Sequence, residues 1–180
     1  MLCRTEYKMV ELKARADDLG QVRRKTLSLG AHHVDTIRQT DTYFKVPKGR
    51  LKLREVNGRD VAELVYYERE DIVGPKRSSV FILEIEKPTI FKSLLKKILE
   101  TQTIVVKQRE IYRYKGTQIH LDVVEKLGSF VEFERKVSSN VKTLNEDRQV
   151  LNDLLERLEI QRAKLEKLSY SDLAQNHNRK

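Results

Sequence analysis

Four carboxylates and five cations stand at alternating positions in this chain, a spacing that lets each group work on one face of an extended segment. Val10, Leu12 and Ala14 alternate with Glu11, Lys13 and Arg15, and Val131 and Phe133 alternate with Glu132 and Glu134. A period of two is that of a β-strand with one apolar and one charged face. Lys52 and Arg54 oppose Leu51 and Leu53. Lys107, Arg109 and Arg113 share a face, and His120 and Asp122 oppose Ile119, Leu121 and Val123. Carboxylate oxygens suit a hard divalent cation such as Mg²⁺. Lysine and arginine suit phosphate oxygens, arginine bidentately. Both sets on the inner wall of a closed sheet would suit a substrate made of phosphates and metal ions.

The elements that must position these residues read as follows. Strands are expected at 6–15, 34–46, 50–56, 62–69, 80–86, 104–114, 118–124 and 130–136. Asn57–Gly58 lies between two alternating runs, a hairpin signal. Helices are expected at 19–29 after Asp17–Asp18, at 89–100 with apolar residues at 90, 91, 94, 95, 98 and 99, and at 140–158 with a leucine stripe from Leu144 to Leu158. Residues 71–79, with Gly74–Pro75, read as a flexible basic loop. About eight strands in hairpin order with helices inserted make an antiparallel α+β domain. A single domain over 1–174 is expected, with 175–180 a disordered tail. Acids gather on the first, fifth (Glu84, Glu86), seventh and eighth strands, and the faces of the third and sixth that hold Lys52, Arg54, Lys107 and Arg109 carry only bases. The plain alternative, one solvated sheet face, would mix the signs. Segregation favours an interior with separate metal and phosphate sectors.

The chain has 180 residues and a net charge of +9, with 35% charged residues. That balance favours an anionic partner. The cations are interspersed with acids and form no basic arm, which disfavours nucleic acid. Cys3 is the sole cysteine, and no apolar run approaches the roughly 20 residues of a membrane span. A cytoplasmic protein without disulfide or membrane contact is expected.

VELKAR at 10–15, DTYFKVPKGRLKLRE at 41–55, KQREIYRY at 107–114 and HLDVVEKLGSFVEFE at 120–134 together resemble the CYTH superfamily of triphosphate tunnel metalloenzymes. SYSDLA at 169–174 is similar to the close of class IV adenylyl cyclase-like chains, and thiamine triphosphatases belong to the same group. The resemblance implies an eight-stranded antiparallel β-tunnel with helices packed outside. It implies Mg²⁺ or Mn²⁺ held by Glu11, Asp122, Glu132 and Glu134, and catalytic roles for Glu11 and Lys13. It implies a triphosphate bound by Lys13, Lys52, Arg54, Lys107 and Arg109, with Arg69, Lys76 and Arg113 as looser matches. The expected activity is cyclisation of ATP or hydrolysis of triphosphate or thiamine triphosphate. Met9 stands where the Glu-x-Glu-x-Lys signature carries its first acid, so one oxygen donor is missing. That substitution motivates the alternative of a non-catalytic polyphosphate or nucleotide binder.

Other residues receive plainer readings. His32–His33 lack the partners of a zinc site and read as a surface turn. His120 reads as a tunnel-wall histidine, with proton donation as its alternative. Tyr43, Tyr66 and Tyr67 read as packing. The Leu144–Leu158 stripe is expected to cover the barrel, a homodimer contact being its other use.

Overall fold

The computed structural model describes residues 4–137 and 141–178. Eight strands run as β1 (Arg4–Arg15), β2 (His32–Phe44), β3 (Arg50–Val56), β4 (Ala62–Arg69), β5 (Lys76–Ile85), β6 (Thr101–Tyr114), β7 (Thr117–Val124) and β8 (Gly128–Val137). They close a barrel in the order β1-β5-β4-β3-β2-β6-β7-β8, each neighbouring pair antiparallel. The closing seam sets Glu11 opposite Glu134 and Lys13 opposite Glu132. The β3–β4 hairpin turns at Gly58, whose φ of 78° is one glycine adopts without strain.

The hydrophobic core lies outside the barrel. Val10, Leu12 and Ala14 on β1 face outward and pack with Leu121 and Phe133. Helix α3 (Val141–Arg157) covers them with Leu151, Leu154 and Leu155, joined by Leu158 just beyond its end, and all four leucines are buried. Each such leucine contributes roughly 1.5–3 kcal/mol. The stripe is thus spent on the barrel. Helix α1 (Leu19–Ser28) starts at Asp18, whose side chain accepts from the Gln21 N–H at 2.9 Å. Helix α2 (Pro88–Ile98) lays Leu95, with Phe91 and Leu99, on Phe44, Leu53 and Ile85. Its other apolar residues, Ile90, Leu94 and Ile98, are exposed.

Several expectations change. Residues 76–79 belong to β5 and not to a loop, and Lys76 and Ser78 face inward. Because β5's inner face is polar here, no alternation betrayed it. Glu84 and Glu86 are exposed, so β5 supplies a cation to the interior and no acid. His32 and His33 begin β2, with the His33 ring edge-on to Tyr112. Residues 162–164 form a 3-10 turn, and α4 (Tyr170–Asn178) carries the chain past the boundary expected at 174. Cys3, residues 179–180 and the side chain of Leu144 lie outside the described residues. Among those described, no helix is long and apolar enough to cross a membrane.

Candidate active site

With the apolar faces turned outward, the inner wall carries charge. Lys13, Lys52, Arg54, Arg69, Lys76, Lys107 and Arg109 face Glu11, Asp41, Asp122, Glu132 and Glu134. Most of them line a cavity of about 80 Å³. Every expected site residue except Arg113 is part of this interior network. Arg113 is exposed at the end of β6, beside Gln118 and Lys136.

Two clusters organise the network. In the first, buried Asp41 receives Lys52 Nζ at 2.8 Å, Arg54 Nε at 3.2 Å and the Gln39 amide at 3.0 Å. Burial opposes its ionisation, yet Lys52, Arg54 and Lys107 hold its carboxyl well below the usual range. One carboxylate cannot offset all these cations. Burial and Arg54 therefore bring the Lys52 ammonium down to about 7. Alternation does not mark Asp41, because residues 41–44 are buried on both faces of β2. The only available signal was its parity with Gln39 and Tyr43.

In the second, Arg109 holds Asp122 with two donors, Nε at 2.7 Å and a terminal nitrogen at 2.5 Å, and also bonds Glu132. Lys107 lies 3.5 Å from Asp122, and the Tyr170 hydroxyl donates to it at 2.8 Å. Both Asp122 oxygens are thus engaged. Lys13 lies 3.1 Å from Glu132. Burial resists ionisation of Glu132, but Lys13 and Arg109 keep its carboxyl low. Glu134 is different. Burial pushes its carboxyl up, Arg109 pulls against that, and neighbouring Glu132 adds to the rise. Glu11 is also pushed up by burial, although Arg69 donates to it at 2.9 Å. His120 Nε2 lies 3.1 Å from Gln118 Oε1, and its Nδ1 is 3.6 Å from Glu134 Oε1 with no hydrogen-bond partner.

The C-terminal segment completes the wall, a feature SYSDLA signalled only as a resemblance. Lys76 donates to the carbonyls of Glu166 and Lys167, at 2.9 and 3.1 Å. Lys13 donates to the Leu168 carbonyl at 3.3 Å and lies 3.7 Å from the Tyr170 ring centroid. Burial, then Arg69, hold the Lys76 ammonium down to about 8. Met9 is buried against Val65 and Val80, so an apolar patch fills the place of the signature acid.

A closed antiparallel barrel with cations and carboxylates converging inside defines a charged tunnel. The chain belongs to the CYTH family, whose domain model matches residues 7–170. A Methanocaldococcus jannaschii protein named "Putative adenylate cyclase" is 27% identical over 159 residues, 83% of this chain and 86% of that one. A solved Pyrococcus horikoshii structure is 25% identical with a TM-score of 0.77, covering 92% of this chain and 98% of its own. A Hippeastrum structure, whose title reports a dominant triphosphatase activity, shares the fold at 17% identity and a TM-score of 0.64, covering 96% of each chain.

Proposed function

We propose that this chain is a divalent-metal-dependent enzyme that acts on the phosphoanhydride chain of a small nucleoside or organic triphosphate, hydrolysis being the reaction the site supports best. The observation that carries this reading is the imbalance among the inner groups of the described residues, seven cations against five carboxylates, with the half-exposed Glu63 and Asp71 pairing with Arg54 and Arg69 at the rims. A triphosphate with one bound dication carries about two net negative charges, which matches the surplus. Family membership supports triphosphate chemistry, and the names of the relatives divide between cyclase and triphosphatase.

Lys13, Lys52, Arg54, Arg69, Lys76, Lys107 and Arg109 form the clamp. They neutralise phosphate oxygens in the ground state and spread the charge that grows on the leaving phosphate. Water attacks a phosphorus atom in line, the bond to the bridging oxygen breaks, and the proton passes to Glu11. Burial raises the Glu11 carboxyl, which suits it to accept that proton. Glu134, which pairs with no arginine or lysine among the described residues, and Glu132 have the oxygen chemistry to hold Mg²⁺ or Mn²⁺. When bound, the ion would offset phosphate charge and acidify a water.

The test is a product assay on tripolyphosphate, thiamine triphosphate and ATP with Mg²⁺ or Mn²⁺. Phosphate release that falls at least about 100-fold in kcat/KM on Lys107→Ala or Arg54→Ala supports the reading. Cyclic AMP and diphosphate from ATP would assign cyclisation to the same clamp. Tight binding without turnover in any metal would make the chain a binder, the outcome that Met9 raises.

A further inference from the structure

His120 is 3% exposed on β7, and its Nδ1 is a buried nitrogen without a hydrogen-bond partner. The other ring nitrogen, Nε2, meets Gln118 Oε1 at 3.1 Å. That oxygen only accepts, so Nε2 carries the hydrogen and Nδ1 presents a bare lone pair. What Nδ1 faces is another acceptor, Glu134 Oε1, 3.6 Å away. Glu132 sits opposite His120 in the β7–β8 register. One donor atom from each of His120, Glu132 and Glu134 lies within 4.8 Å of the others. The Nδ1 lone pair and Glu134 Oε1 repel one another unless a proton or a cation sits between them. Lys13 and Arg109 approach Glu132, but each carboxylate oxygen has a second lone pair to offer.

We propose that His120, Glu132 and Glu134 form a mixed nitrogen–oxygen site that selects a borderline dication, such as Mn²⁺, Co²⁺ or Zn²⁺, over Mg²⁺. A cation about 2.1 Å from each donor spaces those donors about 3–4 Å apart, which the three side chains reach with small rotations. Imidazole favours the later first-row metals, whereas Mg²⁺ prefers oxygen and retains its waters. Gln118 holds the ring in the ligating tautomer, as the outer partner of a metal-bound histidine does. This deepens the proposed function, since it rests on the tunnel holding a metal for a triphosphate.

The experiment is a titration of the metal-stripped full chain with Co²⁺, followed by visible absorption, and calorimetry with Zn²⁺, Mn²⁺ and Mg²⁺. The wild type is expected to bind Co²⁺ and Zn²⁺ at least 100-fold more tightly than Mg²⁺. His120→Gln is expected to lose at least 30-fold for Co²⁺ and Zn²⁺, change Mg²⁺ less than threefold, and alter the Co²⁺ spectrum. Gln118→Ala, which leaves all three ligands in place, is expected to weaken Co²⁺ about tenfold and serves if His120→Gln does not fold. Co²⁺ affinity within threefold of wild type in the folded variants, or Mg²⁺ bound as tightly as Zn²⁺, overturns the site. Tripolyphosphate binding and hydrolysis are measured beside it. Intact Co²⁺ selectivity with no triphosphate binding removes the proposed function and leaves the metal site. Metal-dependent hydrolysis insensitive to His120 does the reverse.

Discussion

Met9 shows how one side chain can be read wrongly if only its absent oxygen is counted. The methionine packs with Val65 and Val80 and closes part of the tunnel wall. Restoring the signature acid by Met9→Glu therefore places a carboxylate against apolar neighbours, at an expected cost of about 1–3 kcal/mol. Burial raises the pKa of the introduced carboxylate above its unfolded value. The unfolded chain then releases that proton first, and stability falls as pH rises above about 4.3. Thermal melts at pH 4.5 and pH 8 should show the larger deficit at pH 8, and an equal deficit at both would show that the carboxylate finds a cation. Alternation in the sequence revealed Glu11, Lys13 and Lys52, each between apolar neighbours, and the shared parity of cations along one strand revealed Arg54, Lys107 and Arg109. Asp41 and Tyr170 escaped it. Asp41 lies in a strand whose next residues are buried on both faces, and Tyr170 reaches the site from a helix whose docking no local pattern encodes.

At the scale of elements, the strands legible in advance were those with an apolar outer face and a charged inner one. β5 was half hidden because Lys76–Ser79 has no apolar residue to mark the outer face. Helix α2 looked like one wide stripe, yet only Phe91, Leu95 and Leu99 meet the barrel. α4 matters more to the site than its nine residues suggest. Its first residue, Tyr170, stacks edge-on to Phe130 at 5.1 Å, lies under Lys13 and Lys107, and donates to Asp122. Tyr170→Ala removes a buried aromatic and frees the carbonyls of residues 166–168 from their lysines, at an expected cost of about 3–5 kcal/mol. Tyr170→Phe removes only the hydroxyl bond, and Asp122 keeps Arg109 and Lys107, so about 1 kcal/mol is expected. Urea unfolding midpoints for the two variants check the ordering. Equal losses would mean that the hydroxyl, and not the packing, holds α4 in place.

At the scale of the whole molecule, the barrel reverses the usual arrangement: leucines and phenylalanines lie between sheet and helices, and the ions lie in the middle. A surplus of buried cations has a consequence that one residue alone cannot show. Burial and crowding bring Lys52 to about 7 and Lys76 to about 8, so near pH 8 the empty tunnel has shed part of its positive charge. A bound polyphosphate favours the protonated amines and draws those protons back. Binding of tripolyphosphate at pH 8 should therefore take up about one proton, measured by calorimetry in buffers of different ionisation enthalpy. Its affinity should fall about tenfold or more from pH 8 to pH 9. The free protein behaves in the opposite sense. A lysine whose folded pKa lies below its unfolded 10.5 lends increasing stability as pH climbs from about 7 towards 10.5, because the unfolded chain binds the extra proton. The melting temperature gained on adding tripolyphosphate should then shrink with rising pH while this lysine contribution to the free fold grows. Lys52→Arg keeps the charge at all these pH values, so it should lower the proton uptake and flatten the pH dependence of affinity. Uptake that is absent in the wild type, or unchanged in Lys52→Arg, would place the surplus charge on permanently ionised groups and remove the link between the crowded lysines and the anion.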